Sequence, residues 1–418
     1  MIQPDNEAAP ETNVAAPETA GRFPLPARQE NVLLYVLAAI QFTHILDFMI
    51  VMPLGPRLME IFRITPSQFG LIVSTYTFSA GLFGLVAAWF LDRFDRKAAL
   101  LCLYSGFALG TLACALAPSY AFLVAARFLA GGFGGVTSAV ILAVIGDAIP
   151  PQRRGAAMGT LFSSFSLASI AGVPAGLFLA NHLGWHAPFF LLAGLSAAIA
   201  VMAANVLPSM RDHQARVKEK PWEEMKVILG RANHWRAFAL TVFMTMAGFL
   251  IVPYLSPSLV ANVGLTNEQL PLIYLCGGAV TFFSMRWFGK ISDRLGLLRV
   301  FTALSVIAVF PILIISHLPP VPLWTALLCT TCFMVFISGR FIPGMAMVTN
   351  SVQAQLRGGF MSLNSAMQQF ASGLASLIAG AVITGGSGAR LEHYGTVGLI
   401  GGGCVVVSIL LARRLKAA

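Results

Sequence analysis

The sequence predicts an all-α integral membrane protein, with twelve transmembrane helices in two pseudosymmetric six-helix halves. Three observations predict it. The composition is too apolar to cover a water-facing surface. The chain runs as twelve apolar stretches parted by short polar turns. The second half repeats landmarks of the first at a near-constant offset.

Of the 418 residues, 57% are hydrophobic and 11% charged, with mean hydropathy +0.78. Soluble domains carry about 25% charged residues. A cytosolic enzyme, a nucleic-acid binder and a disordered scaffold are therefore excluded for the bulk of the chain. The net charge of +10 fits basic loops facing the cytoplasm and anionic headgroups better than nucleic acid. All six cysteines (Cys102, Cys114, Cys276, Cys329, Cys332, Cys404) sit in apolar stretches, which suits small reduced hydrophobes. Cys329 and Cys332 lack both the strand context of a redox motif and a second ligand pair for zinc.

Residues 1–30 are rich in Pro, Ala and Glu and hold no apolar run. A signal peptide needs a basic start and an apolar core, so a disordered cytoplasmic tail is expected. A spanning helix needs about 20 apolar residues. The spans read as 32–57, 67–91, 98–117, 120–146, 156–181, 187–207, 236–261, 269–289, 299–317, 322–349, 358–385 and 395–412. The first six form an N-terminal bundle over 31–207, the last six a C-terminal bundle over 236–412, and 413–418 is a short tail. Between the bundles lies the polar segment 208–235. Its stretch Pro221 to Leu229 reads either as an amphipathic helix on the membrane surface or as solvated linker. With the N-terminus inside, 21 of the 27 Lys and Arg fall on inner segments, three on outer segments and three within helices. That asymmetry places both termini in the cytoplasm.

Helices 2 and 8 align without gaps at an offset of 201. Thr65-Pro66-Ser67-Gln68 matches Thr266-Asn267-Glu268-Gln269, Leu71-Ile72 matches Leu272-Ile273, and Asp92-Arg93 matches Asp293-Arg294. T-x-x-Q is a capping-box pattern for a helix start. Helices 5 and 11 echo each other at an offset of 203, with Arg154-Gly155-x-x-Met158 against Arg357-Gly358-x-x-Met361. Two halves with one layout are the signature of a transporter that rocks about a central site.

The segment Ala88 to Lys97, with Asp92, Arg93 and Arg96, resembles the loop motif G-x-x-x-D-R-x-G-R-R/K of the major facilitator superfamily. The copy from Gly289 through Asp293 and Arg294 to Gly296 keeps both glycines, whereas the first has Ala88 and Asp95 in their places. Arg127-Phe128-Leu129-Ala130-Gly131 on helix 4 resembles the family's R-x-x-x-G motif. Gly172-Val173-Pro174-Ala175-Gly176 on helix 5 resembles the antiporter motif of twelve-helix drug and sugar exporters. The resemblance covers about 31–412 and implies alternating access. It implies that the Asp92/Arg93/Arg96 loop latches against neighbouring helix ends in the outward-open state, with Asp147 as a counter-charge. Gly172, Pro174 and Gly176 either permit a pivot or are ordinary small-residue packing.

Asp47 is the only acid placed near the bilayer middle. A carboxylate there defaults to a functional reading, here proton carriage, against the alternative of a permanent strut. Asp47 lies ten residues from Arg57 at the outer end of helix 1, and Arg127 seven residues into helix 4 from Tyr120. At about 1.5 Å per residue the depths are about 15 and 10 Å, and the resemblance implies that helices 1 and 4 line one cavity, which makes Arg127 the expected partner. His44, three residues before Asp47 on the same face, either relays protons or only bonds a neighbour. Gln41 precedes it by one more turn.

Arg340 sits mid-helix 10 with no acid nearby in sequence. It either binds an anion in two-pronged fashion or bonds helix carbonyls freed by Pro343. Asn364 and Gln368 share a face at i, i+4 and are candidate cavity residues. No metal-binding or nucleotide-binding signature appears. The expected function is proton-coupled efflux of small organic compounds by alternating access, at the bacterial inner membrane. Its partners are a small-molecule substrate, protons and membrane lipids, with no nucleic acid and no second copy required. No cofactor is expected beyond the proton gradient. The alternatives are symport or exchange of an organic anion held by Arg340 and Arg127, and a non-transporting sensor.

Overall fold

In a computed structural model, residues 27–87, 91–150, 153–210, 221–385 and 389–417 are described. All but the last few residues of the expected tail 1–30, and residues 211–220 of the linker, lie outside them. The first half comprises α1 (Ala27–Ile50), the short α2 (Gly55–Phe62), α3 (Pro66–Ala87), α4 (Arg96–Ala115), α5 (Tyr120–Ala148), α6 (Arg154–Leu167), α7 (Val173–Leu183) and α8 (Ala187–Val206). After α9 (Pro221–Leu229), the second half comprises α10 (Ala232–Phe249), α11 (Val252–Ala261), α12 (Leu270–Leu295), α13 (Leu297–Ser316), α14 (Leu323–Gly339), α15 (Phe341–Asn350), α16 (Arg357–Val382) and α17 (Tyr394–Arg414).

All twelve expected spans are present. Ten are long and apolar enough to cross a bilayer by composition alone. The other two, α12 and α16, are 26 residues each, or about 39 Å of helix. Their polarity has identifiable sources: Arg286, Lys290, Asp293 and Arg294 on α12, and Asn364, Gln368 and Gln369 on α16.

Boundaries depart from expectation where proline intervenes. The first span breaks at 51–54 around Pro53, and α2 follows as a separate turn of helix. The seventh breaks just before Pro253 and the tenth at Arg340, three residues before Pro343. A π-helical turn at Ala168–Gly172 joins α6 to α7 just before Pro174. Each proline removes a backbone donor and crowds the preceding turn. The helical start of α1 at Ala27 takes the last four residues from the expected tail, and Glu30 there is buried and paired with Arg153 at 2.7 Å. Pro221–Leu229 of the linker is helical.

The repeat is visible in backbone chemistry. Thr65 N–H donates to the Gln68 side chain at 2.9 Å and Gln68 N–H to the Thr65 hydroxyl at 3.3 Å, a complete capping box. In the second copy Thr266 N–H donates to the Gln269 side chain at 3.1 Å.

The halves meet on one side only. One apolar core, including Ile50, Phe69, Val173, Tyr254 and Ala375, draws on both halves near the face opposite the basic loops. Toward the basic face each half keeps its own core, Leu37, Tyr104 and Val144 in one and Phe238, Met244 and Phe301 in the other. The Tyr254 hydroxyl lies 2.9 Å from the Pro66 carbonyl and 3.2 Å from that of Ser376, and the Asn181 amide donates to the Asn267 carbonyl at 3.0 Å. Gly70 and Gly380 make room for that tyrosine; a Cβ at either would collide with its hydroxyl. Contact along α3 and α16 persists to Gly81 against Gln369 and Phe370, but Gly84, one turn further, meets nothing. Gly155, Gly159, Gly289 and Gly358 near the basic face also meet nothing within 4 Å. The molecule is closed at the face opposite its basic loops and splayed toward them.

Candidate functional site

Gln41, His44 and Asp47 lie at i, i+3 and i+6 along α1, so one helical face carries all three. The Asp47 carboxylate is fully buried. One oxygen accepts from Arg127 Nη1 at 2.7 Å and the other from the Thr111 hydroxyl at 3.1 Å. Arg127 Nη1 also lies 3.4 Å from the Asp47 carbonyl. The guanidinium sits 4.1 Å from the centroid of the Tyr76 ring, a cation–π contact.

Gly131, four residues after Arg127, explains this placement. A Cβ there would overlap the backbone of Tyr76, so only glycine lets α3 and α5 approach closely enough to lay the Tyr76 ring on Arg127. Gly134 and Ser138 continue the same face of α5. Gly134 leaves room for the His44 ring edge, whose Nε2 lies 2.8 Å from where a Cβ would stand. The Ser138 hydroxyl is 3.2 Å from His44 Nδ1 and 3.2 Å from the Gln41 amide oxygen. His44 has no bond to Asp47; it packs on Phe107 and Tyr76 at ring separations of 5.7 and 6.1 Å. Among the described residues, buried Tyr76 Oη and His44 Nε2 have no hydrogen-bond partner.

Arg340 is also fully buried, but in another place. Its Nη2 donates to the Met244 carbonyl of α10 at 2.7 Å, and Nε and Nη1 have no partner. Asn364 accepts from the Thr241 hydroxyl at 2.7 Å; Gln368 is half-buried. Among the described residues no hydrogen bond joins Arg340 to Gln41, Asn364 or Gln368. Arg340 and Asn364 both bond α10, one turn apart, through Met244 and Thr241.

Near the basic face Arg96 Nε pairs with Asp147 at 3.1 Å. Arg93 is exposed; the Asp92 side chain lies outside the described residues. The departures between the two loop copies have a backbone reason. Gly296 ends α12 at φ 91, which favours glycine, whereas Asp95, at the equivalent place, caps α4 at φ −56 and accepts from Lys97 N–H at 2.9 Å. Asp293 and Arg294 are exposed at the end of α12. In the helix 5 motif, a Cβ on Gly172 would fall 2.8 Å from Leu46, and one on Gly176 2.6 Å from Ile50. These glycines, with Pro174 between them, seat α7 against the turns of α1 that flank Asp47.

A family model, Major Facilitator Superfamily, matches residues 37–376. The chain belongs to the major facilitator superfamily. It is similar to the MFS-type transporter YceJ of Bacillus subtilis (strain 168), 26% identical over 368 residues, covering 87% of this chain and 91% of that protein. It is 25% identical over 353 residues to the inner membrane transport protein YdhP of Escherichia coli (strain K12), covering 82% and 86%. The fold is that of the crystal structure of a bacterial homologue of the human lysosomal transporter Spinster, inward-facing and unoccupied. The TM-score is 0.76 at 15% identity, over 94% of this chain and 98% of that one. This superfamily member is thus a multi-pass membrane protein, a secondary transporter of small molecules and not an enzyme.

Thr111, Tyr76, Ser138 and Gly134 escape sequence reasoning. Thr111 and Tyr76 come from helices with no motif at those positions. The one available signal is the continuation of the Arg127–Gly131 spacing to Gly134 and Ser138.

Proposed function

We propose that the protein exports small organic compounds in exchange for protons, with Asp47 as the proton carrier. The observation that carries this reading is the Asp47–Arg127 contact at 2.7 Å, both side chains buried. A buried ion pair is a weak source of stability and an intramembrane carboxylate defaults to function. Protonating Asp47 removes the charge that fixes the guanidinium. Arg127 then keeps the Tyr76 face, the Cys114 side chain and the Asp47 carbonyl, and α1 and α5 lose their electrostatic tie. Deprotonation restores it. The pair thereby couples proton occupancy to the packing of α1, whose neighbour α7 carries the Gly172–Gly176 packing motif.

Arg127 engages Asp47, and Arg340 engages the Met244 carbonyl. This supports a neutral or cationic substrate over an organic anion, and reads Arg340 as a tie between α10 and the α14–α15 break. The half-buried rings of Phe48 and Phe249, 5.9 Å apart across the two halves, suit an aromatic or apolar compound. The relative YdhP is named as an inner membrane transporter; the same location is proposed here, with the basic face and both termini cytoplasmic, which makes the splayed state inward-facing. The test is accumulation of an aromatic probe by vesicles under an imposed pH gradient. Accumulation against the direction of proton flow is expected. Accumulation indifferent to the gradient overturns the reading.

A further inference from the structure

The repeat supplies an internal control for the basic face. In the first half, Glu30 at the start of α1 pairs with Arg153 at 2.7 Å. Beside it, Arg154 closes the end of α5, its Nε donating to the Ile149 carbonyl at 2.9 Å and its Nη2 to that of Gly146. The offset of 201 carries Glu30 onto Arg231, and the offset of 203 carries Arg153 and Arg154 onto Leu356 and Arg357. The acid of the first half is therefore an arginine in the other, the base it pairs with is Leu356, and the capping Arg154 is Arg357.

Arg231 and Arg357 line one pocket of about 910 Å³, together with Asn350, Gln353 and Gln355 and the apolar Val227, Val352 and Leu356. Among the described residues no carboxylate lines it. Among the described residues, neither guanidinium has an ion-pair or hydrogen-bond partner, and Arg357 caps no carbonyl as Arg154 does. The arginines also open α10 and α16, so both helix dipoles add positive potential at the same place. Two like charges share a pocket at the place where the first half holds one acid and two bases.

We infer that this pocket binds a phosphate group, which takes the place of the missing acid. Guanidinium forks match phosphate oxygens, and the three amides supply further donors. The group comes either from an anionic lipid headgroup, to which the apolar lining and the adjoining α9 would admit the acyl chains, or from free phosphate.

The purified full chain in a non-ionic detergent tests this by thermal unfolding. The probes are phosphatidylglycerol, inorganic phosphate, and monogalactosyl diacylglycerol as a lipid without phosphate. The wild type should be stabilised by phosphatidylglycerol or by inorganic phosphate, and not by the galactolipid. Stabilisation by lipid alone identifies the headgroup, and saturation by inorganic phosphate identifies the free ion; both support the site. The double variant Arg231→Gln/Arg357→Gln should need at least about tenfold more ligand for half-effect. Arg231→Glu restores the acid of the first half in the pocket that Arg357 lines. It should unfold no earlier than wild type without ligand and should lose the phosphate response. Lys290→Gln, a charge outside the pocket, should respond as wild type does. No response in the wild type, or equal responses in wild type and Arg231→Glu, overturns the proposal.

Discussion

Phe48 and Phe249 occupy the same position of the repeat, 201 residues apart, and their rings meet at a centroid separation of 5.9 Å. Residues related by a twofold axis touch each other only beside that axis, so this contact lies beside the pseudo-twofold axis that relates the halves. The Phe48 ring also stacks on Tyr76 at 5.4 Å, and Tyr76 covers Arg127. A continuous path of contact thus runs from the interface between the halves to the buried ion pair. Phe249→Ala should weaken binding of an aromatic substrate by about 0.5–1.5 kcal/mol, several-fold in Kd, with Asp47-dependent proton coupling retained. Equilibrium binding of an aromatic and an aliphatic probe to the purified variant checks this; equal losses for both would remove the aromatic role.

Tyr254→Phe should loosen the closed face. Its hydroxyl reaches backbone oxygens of both halves, Pro66 and Ser376. Losing it removes a bond of about 0.5–1.5 kcal/mol net and leaves buried acceptors unsatisfied. The two-state balance should move several-fold toward the form open at that face. Spin-label distances across the basic face measure it, as growth of a shorter-distance population.

Much of this was legible in the sequence because it rests on local pattern or on charge. The twelve apolar runs mark the spans, T-x-x-Q marks two helix starts, and depth from the helix ends, together with the family resemblance that puts helices 1 and 4 around one cavity, pairs Asp47 with Arg127. What the sequence hid depends on which way ordinary residues face. Thr111 and Ser138 are unremarkable hydroxyls until α4 and α5 bring them to α1. For Arg340 the sequence leaves anion binding and helix-carbonyl bonding both open, and that the Met244 carbonyl of α10 lies within its reach depends on how the helices pack. The conformational state was hidden too, since one sequence serves both.

Gly131→Ala should impair folding and transport together. The added methyl would meet the Tyr76 backbone and the Ser79 side chain, so α3 must move off α5 and take its ring from Arg127. Overpacking of this kind costs about 1–3 kcal/mol. Gly84→Ala, in open space on α3, should be neutral. Unfolding temperatures of the two variants, compared side by side, test the contrast.

Arg340→Met separates a structural tie from anion recognition. A buried charge replaced by an apolar side chain of similar length is often neutral or stabilising. The variant should keep its unfolding temperature within a few degrees and bind neutral probes unchanged. Selective loss of affinity for anionic probes would return Arg340 to the substrate site.

The central claim is that Asp47 carries the coupled proton. The measurement is transport by purified Asp47→Asn in vesicles, comparing accumulation driven by a pH gradient with exchange at equal pH on both sides. Asparagine preserves size and polarity but cannot release a proton. The account predicts that gradient-driven accumulation falls to background while equilibrium exchange of substrate continues. Undiminished accumulation by the folded variant would contradict it.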